Sequence, residues 1–338
     1  MLIPDRWYAV LDSKEIPTGR PLGVRRLGEP LVFWRDGGGH AVVMKDRCPH
    51  RSSQLSLGRV VNGHIQCPFH GFEFAGDGAC QLIPANGRNA RIPEIFQCPT
   101  YPSQEAHGFI WVWYGKPRDE YPPLPWFDGL EGFEYAAIQK AWDVDVSRAI
   151  EGLLDVSHLP FVHPRTIGRD QKTLVNGPYT TLEEDVLRVW ISNQPDEGLP
   201  AMKPSQLPQP EGEPSIEFRF PNLWRLRIAE RVGAVNVIAP VDEGECVIYL
   251  RSYLKLPLPS ALTRLIGKMS NVFNRRVLAE DYPVIRSQTP KVTDLNIGER
   301  FIPADRPIAI YLQHRRDLIE AARSKTDSRL PAIIGGPD

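Results

Sequence analysis

Residues 48–70 read CPHRSSQLSLGRVVNGHIQCPFH, and this stretch decides the reading of the N-terminal half. Cys48 and His50 stand one residue apart; after sixteen intervening residues, Cys67 and His70 stand two residues apart. Two mixed pairs at the ends of hairpin-like loops supply the donors for a two-iron cluster in which thiolates hold one iron and imidazoles the other. Pro49 and Pro68 stiffen the loops, while Gly58, Gly63 and Gly71 let the backbone turn closely around sulfide. Neutral imidazoles remove negative charge relative to an all-thiolate centre and raise the potential to ~−150 to +300 mV, so the cluster would accept electrons from a ferredoxin or flavoprotein. A Cys2His2 zinc site uses the same residue types, but it usually groups like ligands together, whereas each pair here is mixed.

The surrounding sequence reads as a small all-β domain. Short apolar or alternating runs at Trp7–Leu11, Pro30–Trp34, Gly39–Met44, His64–Cys67 and Phe109–Tyr114 are separated by turn signals at 36–39, Asn62-Gly63, Asp77-Gly78 and Asn86-Gly87. The proline-rich segment Lys116–Asp128 reads as a linker, which divides the chain into domains 1–117 and 118–338.

Length and composition agree with two domains. The chain has 338 residues, 42% of them hydrophobic and 24% charged, which excludes wholesale disorder and a disulfide-stapled miniprotein. Its 33 prolines argue for loops and β-edges rather than a helical bundle. A net charge of −1 gives no overall field toward nucleic acid or membrane, and no apolar run reaches the ~18 residues of a bilayer span. The N-terminus lacks signal-peptide character, so a soluble, cytoplasmic protein is expected. Five cysteines fit metal ligation or buried thiols better than disulfides, with Cys80, Cys98 and Cys246 outside the ligand set.

Beyond the linker, Asp145–Val162 has helical spacing, and Glu183–Ser192, Ser215–Arg219, Leu223–Pro240 and Cys246–Lys255 read as antiparallel strands. Pro195–Pro214 is a proline-rich loop. A long amphipathic helix is predicted over Ser260–Ile285, capped by Ser260, with Leu262, Leu265, Ile266, Met269, Val272, Phe273 and Val277 on its apolar face. A second is predicted over Ala304–Lys325, with Asp305 at its start and Arg315, Arg316, Arg323 and Lys325 toward its end.

The second candidate metal site lies at 155–163, DVSHLPFVH. Helical spacing places Asp155 and His158 on one face, and a helix end at Leu159-Pro160 allows His163 to return to the same metal. Two imidazoles and one carboxylate on Fe(II) leave coordination positions open, as non-haem oxygenases require. The spacing alone is a weak signal; its company with the first motif strengthens it.

Cys48-Pro-His50-Arg51 and Cys67-x-x-His70 resemble the Rieske [2Fe-2S] motif, and with Asp155-x-x-His158-x4-His163 the chain resembles the Rieske non-haem iron oxygenases over nearly its whole length. The resemblance implies an α+β architecture: an all-β Rieske domain, then a helix-grip domain in which an antiparallel sheet wraps a long helix. It implies that the carboxylate ligand comes from a late helix, where Ala279-Glu280-Asp281-Tyr282-Pro283-Val284-Ile285 matches, with Asp281 as ligand and Glu280 as runner-up. It also implies a head-to-tail homotrimer in which Asp155 bridges His158 to His70 of the neighbouring chain. Gly152 stands where relatives often carry asparagine, and Arg286 where some carry an acid.

The expected activity is that of a terminal oxygenase acting on O2 and a cyclic organic substrate by hydroxylation or oxidative demethylation. The chain carries no Gly-x-Gly-x-x-Gly fingerprint, so NAD(P)H would act only through a separate ferredoxin or flavin reductase. Ring cis-dihydroxylation, a Rieske electron carrier without oxygenase activity and a ligand-binding helix-grip module are the alternatives. Gly152, Leu153, Leu154, Leu159, Val162, Asn236 and Ile238 are candidate pocket residues. His40, His64, His107 and His314 read as surface or packing residues. Lys45, Arg47, Arg51 and Arg59 read as a solvated face, with ferredoxin docking as the alternative.

Overall fold

The computed structural model of the chain describes residues 1–327. Strand β1 (Arg6–Asp12) is followed by the meander β2 (Leu22–Arg26), β3 (Glu29–Arg35) and β4 (Ala41–Lys45). Next come four short strands, β5 (Arg59–Val61), β6 (His64–Gln66), β7 (Glu73–Phe74) and β8 (Cys80–Leu82), paired in that order. Strands β9 (Ser103–Ala106) and β10 (Phe109–Tyr114) return to form the sheet β1-β10-β9. The expected all-β N-terminal half is therefore present. Its two layers enclose separate cores, one around Trp34, Phe72 and Phe74 under the cluster motif and one around Tyr8, Phe33 and Ile110.

The second half opens with β11 (Glu134–Trp142), α1 (Val146–Leu154) and the single turn α2 (Leu159–Val162). Then follow β12 (Leu174–Val175), β13 (Tyr179–Glu183), β14 (Val186–Trp190), β15 (Asn193–Gln194), β16 (Ile216–Arg219), β17 (Leu223–Ala229), β18 (Val232–Asp242) and β19 (Glu245–Leu254). An antiparallel seven-stranded sheet, β11-β19-β18-β17-β16-β14-β13, receives helices α3 (Ser260–Ser287) and α4 (Arg306–Asp327). Residues 328–338 of the expected second domain, and the side chain of Lys325, lie outside the described residues. Among the described residues no helix is long and apolar enough to cross a membrane.

Period-two alternation divides the sheet into two faces. Trp224, Ile238, Ile248 and Leu250 face α1 and the core of the second half. Leu223, Val235, Val237, Tyr249 and Tyr253 pack against Trp7, Phe109, Trp111 and Trp113 of the first half. Buried Arg251 joins the halves: it donates to Asp12 at 2.9 Å and to the carbonyls of His107 and Gly108, and its guanidinium lies 3.6 Å from the centre of the Phe109 ring.

Four local expectations are corrected. Asp145–Val162 is not one helix: α1 ends at Leu154, Asp155 is its C-cap with extended backbone, and α2 begins at Leu159. Glu183–Ser192 and Leu223–Pro240 each contain a hairpin turn, at Glu184-Asp185 and Glu230-Arg231; the first has positive φ at both residues without glycine or asparagine. Ser260 is the first residue of α3 rather than its cap, and its side chain makes no capping bond.

The fourth correction concerns the face that α3 buries. Leu262, Leu265, Met269, Val272 and Phe273 are exposed, while Thr263, Gly267, Asn271 and Leu278 are buried. Small side chains at four-residue steps let the helix approach the sheet closely; a Cβ on Gly267 would lie 3.0 Å from the Ala136 Cβ. Asn271 donates to the Ala137 carbonyl and Asn274 to Ser252 Oγ, so hydrogen bonds anchor this face where apolar spacing predicts the opposite one.

Candidate metal centres

The two cysteine-containing loops are built alike. Ser52 N–H donates to the Cys48 carbonyl at 2.9 Å and Gly71 N–H to the Cys67 carbonyl at 3.1 Å, closing a turn four residues after each cysteine. Both turn residues have positive φ, 60° for Ser52 and 71° for Gly71. Cys48 N–H donates to Ser53 and Cys67 N–H to Phe72, which fixes the start of each loop.

This folding puts the two thiols inside and the two imidazoles outside. Cys48 and Cys67 are buried and His50 and His70 exposed, the two rings 4.8 Å apart and His50 stacked on Phe72. Burial, with Cys67 beside it, pushes the Cys48 thiol up to about 11. Two buried sulfurs short of compensating charge fit a cationic iron centre, which makes thiolates the stable form. Cys98 lies close behind, its Sγ 3.8 Å from the Lys45 carbonyl; Cys80 packs against the same core, and Cys246 lies in the core of the second half. Of the basic residues nearby, Lys45 pairs with Glu29, Arg47 and Arg59 bond to Ser52 and Gln66, and Arg51 lies over the Phe69 ring.

In the second half, His158, His163 and Asp281 come together with their ligand atoms within 4.8 Å of one another. Asp281 Oδ1 is 2.8 Å from His163 Nε2 and 3.5 Å from His158 Nε2. The buried His163 Nε2 nevertheless has no hydrogen-bond partner, because its direction does not suit Asp281. The three groups cluster without hydrogen-bonding to one another, and two neutral imidazoles with one carboxylate fit ferrous iron. Asp155 and Asp281 outweigh burial and push the His158 pKa up to about 9; a cation at this point would replace the proton they favour.

Glu280, the runner-up ligand, is not in this group. Its Oε2 lies 2.9 Å from His163 Nδ1 and accepts from Thr166 Oγ1 at 2.6 Å, while Oε1 accepts from Arg276 Nε at 3.1 Å. Neighbouring acids on α3 thus lie beside the two nitrogens of one ring, only Glu280 bonding to it. Thr166 gave no sequence signal; it lies three residues beyond His163, outside the motif.

Asp155 Oδ1 accepts from Ser157 N, Ser157 Oγ and His158 N at 2.7, 2.8 and 3.3 Å, tying off the turn that replaces helix. Its Oδ2 lies 3.7 Å from His158 Nδ1, a buried nitrogen without a hydrogen-bond partner. A cavity of about 350 Å³ borders Asp155, His158 and Asp281 and is walled by Gly152, Val162, Ile285 and Phe301. Gly152 permits its shape, since a Cβ there would meet Ile285 Cδ1 at 2.4 Å. Arg286 turns away to pair with Asp143 at 2.8 Å.

Leu154 and Ile238 are core residues rather than walls of this cavity. Asn236 is buried opposite Trp224 on the inner sheet face; Asn236 Oδ1 and Trp224 Nε1 both lack a partner. Of the remaining histidines, His107 stacks on Trp126, His314 lies 2.7 Å from Asp185 and His40 is exposed.

Residues 6–102 match the Rieske [2Fe-2S] domain family, and residues 142–321 match the Vanillate O-demethylase oxygenase C-terminal domain family. The chain is 28% identical to methylxanthine N1-demethylase NdmA of Pseudomonas putida, over 97% of this chain and 92% of that protein. The solved NdmA structure superposes with a TM-score of 0.77 at 26% identity, covering 95% of this chain and 92% of NdmA. This chain is also 33% identical over 168 residues to the chloroplast protein TIC 55 of Pisum sativum; that match takes in 48% of this chain and spans 30% of the length of TIC 55.

Proposed function

The chain belongs to the Rieske non-haem iron oxygenases, with a catalytic half of the vanillate O-demethylase type, and on that premise we propose that it is the terminal oxygenase of a short electron-transfer chain. The observation that carries this reading is the convergence of His158, His163 and Asp281 beside an open cavity, in a chain that also carries a Rieske motif. Cys48, His50, Cys67 and His70 would hold the [2Fe-2S] cluster, and His158, His163 and Asp281 the mononuclear Fe(II). When bound, the cluster relays single electrons and the iron activates O2. In a monooxygenation one oxygen atom enters a substrate C–H bond and the other leaves as water, consuming two electrons and two protons. At an N- or O-methyl group the hydroxylated carbon leaves as formaldehyde.

The protein's own residues supply orientation and enclosure. Glu280, beside His163 Nδ1, would keep the proton on that nitrogen and leave Nε2 free to hold the iron.

We place the domain boundary at 117/118 and read the chain as a cytoplasmic homotrimer. Support for assembly comes from the apolar side chains left exposed beside both centres, Phe69 next to His70 and Phe161 between the two iron-site histidines. Head-to-tail contact would bring the exposed His70 to Asp155 of a neighbour, making that carboxylate the bridge between cluster and iron. A separate ferredoxin or flavin reductase would reduce the cluster.

The test is turnover of the iron-loaded protein with a flavin reductase and ferredoxin, NADH, and a panel of N-methyl and methoxy ring compounds. Substrate-dependent O2 uptake with stoichiometric formaldehyde supports the reading. A cluster that is reduced and reoxidised without product from any member of the panel contradicts it.

A further inference from the structure

On the sheet face turned away from α3, a cavity of about 490 Å³ lies between the segment 129–133 and the ends of β17, β18 and β19. None of its lining residues belongs to either metal centre. Four cationic side chains, Arg225, Arg227, Arg231 and Lys255, border it against one carboxylate, Glu230.

Arg225 is the unusual member. It is 92% buried, since only 8% of its surface is exposed, and its one hydrogen bond runs from Nη1 to the Asp128 carbonyl at 2.7 Å. Among the described residues no carboxylate pairs with it. Glu217, its cross-strand partner on β16, is instead 2.6 Å from Arg219 Nε, and Glu213 is 3.2 Å from Arg227 Nη2. A second donor is also unused: Arg227 Nε is buried without a partner. Arg227 stands two residues from Arg225 on the same strand face, ~7 Å along β17. A buried guanidinium short of counter-charge carries a desolvation cost that an anion in the adjoining cavity would offset. Burial, and then the Arg227 charge, hold the Arg225 pKa below its ordinary value, and Glu217 and Glu213, each engaged by another arginine, offset this only in part.

The remaining wall is apolar, with Leu130, Phe133, Val235 and Leu256, and Lys255 Nζ lies 5.5 Å from the centre of the Phe133 ring. Guanidinium forks match planar oxyanions, and the apolar wall calls for more than a bare ion. We infer that this cavity binds a small amphipathic organic acid, its carboxylate on Arg225 and Arg227 and its apolar body against Phe133 and Leu256, at a site separate from the iron centre.

Calorimetric titration of the holoenzyme with benzoate, its neutral isostere benzamide and inorganic phosphate tests this. Benzoate should bind more tightly than either comparator. Arg225→Gln should weaken it about tenfold, the loss of one charge-assisted contact, while Asp281→Ala leaves it unchanged. Because Arg225 is buried, the exposed Arg231→Gln and Lys255→Gln serve as folding-neutral variants, each with a smaller weakening in the same direction. The inference is overturned if benzamide or phosphate binds as well as benzoate, if benzoate does not bind, if these cationic variants leave the isotherm unchanged, or if Asp281→Ala abolishes binding.

Discussion

His163 lies between consecutive acids of one helix: Glu280 Oε2 is hydrogen-bonded to Nδ1 at 2.9 Å, and Asp281 Oδ1 lies 2.8 Å from the unbonded Nε2. The first contact orients the ring; the second lies within the candidate ligand group. Against burial, which raises it, hydrogen bonds with Thr166, His163 and Arg276 hold the Glu280 carboxyl below its usual range. Glu280→Gln should therefore leave the three ligands in place but lower ferrous-iron affinity ~10–100-fold, with the cluster spectrum unchanged. Anaerobic iron titration measures it, and an unaltered affinity would remove Glu280 from this role.

Gly152 on α1 and Ile285 on α3 allow a sign-changing prediction. A methyl group at 152 would meet Ile285 Cδ1 at 2.4 Å. Gly152→Ala should destabilise the wild type by about 1 kcal/mol, the overpacking cost exceeding the helix-propensity gain. With Ile285→Ala already present, the same substitution should stabilise by ~0.5–1 kcal/mol, because only the propensity gain remains. Urea denaturation of the four-member cycle gives the coupling.

Much of this architecture is legible in residue order. The cluster loops announce themselves because ligand spacing, proline and glycine all lie within one local segment, and the late carboxylate follows from the resemblance around Ala279–Ile285. The orientation of α3 is not legible, because apolar periodicity marks the helix face that is merely apolar; Thr263, Gly267 and Asn271 win the sheet by size and hydrogen bonding. The Glu184-Asp185 turn escapes because it reaches positive φ without asparagine or glycine. Which acid orients and which converges on the metal point is decided by three-dimensional direction, invisible in the adjacent letters Glu280-Asp281. The Arg225 cavity escapes for a related reason, since its charge imbalance depends on Glu217 and Glu213 being engaged by other arginines.

Asp185, in that turn, links Arg6 of the first half at 2.8 Å to His314 of α4 at 2.7 Å. The bond with His314 is the main cause, and Arg6 a further one, of a carboxyl pKa held below its ordinary value despite burial. A carboxylate with a depressed folded-state pKa contributes stability above its unfolded value near ~4 and loses it as pH falls through the folded value. Asp185→Asn should cost of order 1 kcal/mol at neutral pH, after allowance for screening of this partly exposed group. The cost should vanish under acid conditions. Denaturant midpoints of both proteins across that range test the sign; a penalty that grows on acidification would refute it.

Asp155→Asn keeps the shape of the side chain while replacing a charged acceptor with a neutral one. If Asp155 bridges to His70 of a neighbour, the variant should remain a trimer with both metals bound and a reducible cluster, yet lose ~10–100-fold or more in product formation. Sedimentation, metal analysis and turnover on one preparation decide it. Near-normal turnover in a metal-replete trimer would reduce Asp155 to the local turn that its Oδ1 already secures.

The central claim is that His158, His163 and Asp281 hold an iron chemically distinct from the cluster. Nitric oxide added to anaerobic, iron-loaded protein reports on it through the half-integer EPR signal of a high-spin ferrous nitrosyl. That signal should be present in the wild type and absent in Asp281→Ala, while the rhombic signal of the reduced cluster persists in both. A nitrosyl signal of full intensity in Asp281→Ala, or none in the iron-replete wild type, would contradict the account.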